Sequence, residues 1–212
     1  RTIVLKEKSQ RKMPEDDGKA DDEKILIPVK YPETCDTLLN MAMLMRNEKL
    51  SRGLIALNVV YDDLDATYNQ QEGQRLLEQI EKKAAAADVQ VQTQVRLATN
   101  IANGIKHAFK EYDASEIILG QHIHDNSTRR FWGQFAQSLF NGLNRQIIIA
   151  RCTIPLNTIR VFHVAVPSRA EYEPGFYRWL ERVSRMVTRL GCRIVFHGRD
   201  ESLSLIRTFL GN

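Results

Sequence analysis

Residues 114–151 read ASEIILGQHIHDNSTRRFWGQFAQSLFNGLNRQIIIAR. Ser115–Leu119 has the make-up of a strand and is closed by Gly120. A loop follows to about Ser127, Thr128–Asn141 has helical spacing, and Gln146–Ala150 is a second strand-like run. Short apolar runs of this kind suit strands buried on both faces, and a helix between two of them makes a parallel crossover. Working towards the N-terminus, the alternation repeats. Lys24–Val29 (KILIPV) is a continuous apolar run. Thr34–Arg46 follows as a helix with Leu38, Leu39, Met41, Met43, Leu44 and Met45 on a broad apolar side. Gly53–Val60 (GLIALNVV) is a strand, and Asn69–Ala87 a helix rich in Gln, Glu, Lys and Ala. Val89–Leu97 alternates apolar and polar residues, which predicts a strand half exposed or near a sheet edge. Asn100–Tyr112 is the third helix. Five strands alternating with helices predict an α/β domain over residues 24–151, a doubly wound five-stranded parallel sheet with helices on both faces.

Past Cys152–Asn157 the pattern restarts. Ile159–Pro167 reads as strand then proline, and Phe176–Leu190 as an amphipathic helix carrying Trp179, Leu180, Val183, Met186 and Val187. Gly191–Phe196 is another strand, and Leu203–Leu210 begins a helix. Residues 158–212 therefore read as a partial second α/β repeat. At the other end, residues 1–23 hold one apolar patch, Ile3-Val4-Leu5, and then mixed charge with Pro and Gly. Such a composition buries too little apolar surface to offset its ordering entropy, so residues 1–23 are expected to be a charged flexible linker. With Arg first and a helix-like segment last, the chain reads as an excised piece of a longer protein.

Composition narrows the function. Of 212 residues, 43% are hydrophobic and 26% charged, which suits a globular core. The net charge of +4 is spread among interspersed acids and bases. A nucleic-acid binder shows a basic face with aromatics set in it. Only Arg129-Arg130-Phe131-Trp132 comes near that, so no nucleic-acid partner is expected. Cys35, Cys152 and Cys192 have no metal-type spacing and read as reduced thiols. No run of about 18 apolar residues occurs, so no membrane insertion by this fragment is expected. No nucleophile elbow or hydrolase order of Ser, His and Asp is present, and no enzyme activity is expected.

The opening KILIPVKYPETCDTLLNMA, the strand GLIALNVV and the stretch 114–151 together resemble the universal stress protein domain. The match covers about residues 24–151, with a weaker echo over 158–212. A charged tether, one such domain and a diverged second resemble the cytosolic C-terminal tail of a bacterial monovalent cation:proton antiporter. That resemblance implies a non-enzymatic regulatory domain at the cytoplasmic face of the inner membrane. Its partners would be the transmembrane region of the same polypeptide and a second copy, paired through residues 146–150. Two other readings stay open: a soluble universal stress protein binding ATP or AMP, and an interaction scaffold without a small ligand.

ATP-binding members of that family carry Gly, two residues, Gly, nine residues, Gly, then Ser or Thr. Glycines let backbone amides approach phosphate, and a helix N-terminus adds partial positive charge. In this chain Gly120 and Gly133 keep the spacing, while Ile123 and Gln134 stand at the other two positions and Asn126 where the loop commonly has an additional glycine. Lys30 occupies the place, two residues after the first-strand proline, where binding members carry Asp. The resemblance thus implies Val29, Lys30, Gly120, His122, Arg129, Arg130, Gly133 and Gln134 as a degenerate nucleotide site. Its cofactor would be an adenine nucleotide if there is one, and the departures argue for none.

Other clusters read more simply. His122 and His124 would point opposite ways in an extended loop, as an ordinary solvated pair rather than a metal site or pH sensor. Asp62, Asp63 and Asp65 lack the glycine and terminal glutamate of a calcium loop and suit capping. Arg129 and Arg130 begin the last helix, placed either to hold an anion or to stay solvated. Trp132 and Phe135 are placed to fill the space that ribose and phosphate take in ATP-binding relatives.

Overall fold

The computed structural model describes residues 2–5, 23–50, 52–121, 128–143 and 145–211, with the backbone alone for 2–5 and 128–132. Its strands and helices in chain order are β1 (Thr2–Leu5), β2 (Ile25–Pro28), α1 (Pro32–Met45), β3 (Leu54–Tyr61), α2 (Ala66–Ala85), β4 (Val91–Ala98), α3 (Ile101–Glu111), β5 (Glu116–Gly120), α4 (Thr128–Phe140), β6 (Gln146–Ala150), β7 (Val161–Ala165), α5 (Phe176–Leu190), β8 (Arg193–His197) and α6 (Asp200–Phe209). They fall into two units, Asp22–Thr153 and Arg1–Asp21 with Ile154–Asn212.

The unit 22–153 is built on a five-stranded sheet of order β4-β3-β2-β5-β6. All four pairings are parallel. The chain winds outward from β2 through β3 to β4, then returns to lay β5 and β6 on the other side. β2 is buried from Ile25 to Ile27 and β3 from Leu54 to Val60, so the interior of the sheet is apolar on both faces. Alternate residues of β3 separate the two helix layers. Ile55, Leu57 and Val59 share a core with Ile105, Ala108 and Phe109 of α3 and Leu139 of α4. Asn58, on the opposite face, lies under Gly73 of α2. β4, at the sheet edge, has no fully buried residue, as its alternating sequence predicts.

In the other unit the sheet order is β1-β8-β7. β7 and β8 are parallel, joined through α5, and repeat the strand–helix–strand pattern of β2, α1 and β3. Phe162, Val164, Val166, Ile194 and Phe196 form one core with Phe176, Leu180 and Val187 of α5 and Leu203 and Ile206 of α6. Gly191, in the left-handed conformation at φ 63°, ends α5 where a residue with Cβ would be strained. β1 corrects the linker expectation for residues 1–23. Thr2–Leu5 pairs antiparallel with β8, Thr2 opposite His197 and Leu5 opposite Ile194. Averaged composition hides a four-residue strand that draws its hydrogen bonds from a partner almost two hundred residues away. Glu23 also belongs to the folded part: it is buried, and its Oε1 accepts the Asn47 backbone N–H at 2.7 Å. The middle of the expected linker lies outside the described residues.

Two features of the first unit are testable. Asn58 is buried, and its Nδ2 donates to the Val29 carbonyl at 2.8 Å. Asn58→Ala would strand that carbonyl, so the free energy of unfolding in urea is expected to fall by about 1–3 kcal/mol. Cys35 is buried, and its thiol pKa is pushed up to about 12, by burial first and then by Asp36 and Glu33. A raised folded pKa favours the protonated thiol. Its stabilising contribution is therefore complete below the ordinary value of 9.0 and lost as pH rises towards about 12. With a thiol-specific disulfide reagent at pH 8, the half-buried Cys152 is expected to react first, and Cys35 only on unfolding.

Candidate functional site

In an open parallel sheet, ligands sit at the C-terminal ends of strands whose connections leave in opposite directions. Here that point lies between β2 and β5. The two strands pair only at Ile25 with Glu116 and Leu26 with Ile117. Pro28 has no N–H to give, and beyond it the chain turns to β3 instead. The Val29 N–H donates to the Leu57 carbonyl at 2.8 Å, and the Val29 carbonyl accepts from Asn58. Val29 is therefore buried, with its backbone tied to β3.

The next residues carry the exposed chemistry. Lys30 is exposed, with its Nζ 5.3 Å from the centroid of the Tyr31 ring. Tyr31 is itself 41% exposed. Its carbonyl accepts from Thr34 Oγ1 at 3.1 Å and from the Cys35 thiol at 3.0 Å, which secures the first turn of α1. Pro32 starts that helix, where a missing N–H costs nothing. The burial that holds Cys35 protonated removes it as a nucleophile at neutral pH.

Gly120 stands across from these residues at the end of β5, and Gln121 donates its backbone N–H to Ala150 at 2.8 Å. A Cβ on Gly120 would lie 3.1 Å from Leu38 Cδ1 of α1. The glycine thus lets α1 approach the sheet closely. Gly133 and Gln134 are exposed on α4, and a Cβ on Gly133 would meet nothing within 4 Å. Phe135 is half-buried against the core under α3, so it fills that layer and not a ligand space. His122, Ile123, His124 and Asn126 lie outside the described residues. Arg129, Arg130 and Trp132 lie on the backbone of α4, and their side chains fall outside the description.

The structure thus brings Val29, Lys30 and Gly120 to neighbouring strand ends. Asn58 and Leu38 join them, and the sequence reading had assigned neither a role at the site. A lone polar residue inside GLIALNVV was the available signal, since a buried amide needs a partner. At Asp62–Asp65 the expected capping is not made: Asp65, the residue before α2, forms no side-chain cap bond, and Asp63 Oδ1 instead accepts the Asp65 N–H at 3.0 Å in the turn ahead of the helix. At the opposite end of the sheet, Glu23, Arg46, Asn47, Gly53 and Val89 help line a cavity of about 10 Å³, room for one water. Among the described residues no group of three or more His, Cys, Asp or Glu could hold a metal ion. No helix among them is long and apolar enough to cross a membrane.

No protein-family model matches the chain, and no curated protein does. Solved structures do match. The hypothetical protein MJ0577, a test case of structural genomics, is 15% identical with a TM-score of 0.50, over 62% of this chain and 96% of that one. A universal stress protein in complex with cAMP is 10% identical, also at a TM-score of 0.50, over 60% of this chain and 96% of that one. At these identities the likeness is one of fold: the chain carries the five-stranded architecture of the universal stress proteins, followed by a partial second repeat.

Proposed function

We propose that this chain is a non-enzymatic regulatory module of a membrane cation:proton antiporter, acting at the cytoplasmic face. The observation that carries the reading is a nucleotide-type switch point in which side chains have taken over the close-approach positions. Leu38 lies against Gly120, Asn58 holds the Val29 carbonyl, and Cys35 is kept protonated. The exposed pair Lys30 and Tyr31 is equipped for recognition, because a lysine offers donors and charge to an anionic group. Binding of an effector or partner there would bias the pose of the module, and the covalent connection would pass that bias to the transport region. The test compares full-length antiporter with a form lacking residues 24–212. Transport is expected to persist with an altered pH or cation dependence, and unchanged transport would overturn the proposal.

A second reading, adenine-nucleotide binding, is favoured by the similar structure described in complex with cAMP and by the cation at Lys30. Calorimetric titration with ATP, AMP and cAMP separates the two. The primary reading expects no submillimolar ATP binding. Submillimolar affinity lost in Gly120→Val and Gly133→Val would establish the second.

Pairing of two copies belongs to the same proposal. β6 is an edge strand whose Ile149 is 40% exposed, and an edge of this kind offers unpaired backbone groups to another copy. Light scattering is expected to show a dimer that Ile149→Lys converts to monomer.

A further inference from the structure

Helix α5 (FYRWLERVSRMVTRL) carries two stripes. Phe176, Leu180, Val183, Val187 and Leu190 recur at helical spacing and meet the core of this unit. Arg178, Arg182, Arg185 and Arg189 recur at similar spacing on the opposite side, about 200° around the helix at 3.6 residues per turn. That side of a surface helix ordinarily faces water. Here it is covered: Arg182 is 1% exposed and Arg185 9%, while Arg178 and Arg189 are half-buried. Glu181 lies beside the inner pair. Its Oε2 accepts from Arg182 Nη1 at 3.1 Å and its Oε1 from Arg185 Nη2 at 2.6 Å. Four arginines against one glutamate give α5 a charge of +3, and charge is buried at tolerable cost only where it is matched.

We infer that the acidic stretch 15–22 (EDDGKADD) docks along this arginine stripe. Five acids against one lysine give it a charge of −4, which complements the helix. The chain is also delivered to the right place. β1 runs antiparallel to β8 and ends with Leu5 opposite Ile194, just past the Gly191 that closes α5. It therefore leaves the sheet at the end where Arg189 lies. Residues 6–12 (KEKSQRK) are net positive and would be repelled by the stripe, so they serve as the connection to it. Reach is no obstacle, since eight extended residues span up to about 26 Å and Arg178 to Arg189 about 16 Å along the helix axis. A guanidinium fork takes carboxylates through paired N–H donors, which suits acids at neighbouring positions. Docking seals the outward side of α5 by charge. The half-buried ends of the stripe would loosen as salt is raised, and the buried pair far less.

The experiment follows phenylglyoxal modification of the full chain, arginine by arginine, by mass spectrometry. Arg178, Arg182, Arg185 and Arg189 are expected to react slowly. In E15Q/D16N/D17N/D21N/D22N all four react at least about tenfold faster, because their guanidinium groups lose the opposing charge. Circular dichroism of that variant stays that of the parent. D62N/D63N/D65N, which neutralises exposed acids of the unit 22–153, leaves the rates unchanged. Should the fivefold variant fail to fold, R178Q/R189Q alters only half-buried arginines, and hydrogen exchange in the peptide holding residues 15–22 then rises at least about tenfold. Exchange there that is the same in parent and R178Q/R189Q overturns the assignment. So does protection of the arginines that persists in the fivefold variant, which would assign the cover to another part of the chain. Protection that depends on chain concentration or on added phosphatidylglycerol vesicles overturns it too, in favour of a second copy or a lipid surface.

Discussion

The bond from the Asn58 side chain to the Val29 carbonyl is the constraint on which the switch point depends. β2 is the central strand, yet its proline denies it a donor just where the sheet should continue. A carbonyl left buried there without a partner would cost more than an ordinary hydrogen bond gains. Asn58 supplies the partner from the neighbouring strand, and its amide is accommodated because Gly73 leaves room on α2. A Cβ on that glycine would stand 2.3 Å from Asn58 Oδ1. One side-chain amide therefore links the end of β2, the middle of β3 and the packing of α2.

A close approach of another kind accounts for Gly120. Glycine at a strand end admits either a ligand or a neighbouring helix, and at Gly120 the helix has come close. Leu38 belongs to α1, whose first turn is held by the Tyr31 carbonyl, so the closure over β5 is set by the residues that follow Val29. Among the described residues there, Lys30 lies exposed beside the Tyr31 ring.

The alternation of KILIPV, GLIALNVV, SEIIL and QIIIA with helical segments made the first sheet legible, because strands buried on both faces must be apolar throughout. The half-exposed pattern of β4 likewise matched its edge position. The site was less legible. Gly120 and Lys30 were visible by spacing, but whether a glycine serves a ligand or a helix depends on what approaches it in space. Leu38 gives no sign in sequence of lying against a glycine some eighty residues on. Asn58 did give a sign, as the one amide in an apolar run. Thr2–Leu5 was misread for a related reason: a strand's partner is a long-range fact, and four residues amid a charged stretch carry little weight in a composition argument.

That N-terminal strand has a consequence for biosynthesis. β1 leaves the ribosome before the unit 22–153, while β8 is made only after that entire unit has followed it. Closing a loop of that length is entropically modest, since the cost grows only with the logarithm of loop length. The delay is the greater matter. Until β8 emerges, Thr2–Leu5 is an orphan edge segment, open to a chaperone or to a neighbouring nascent chain. Its docking thus marks the completion of translation of the region between them, and the order of synthesis is written into the order of the sheet.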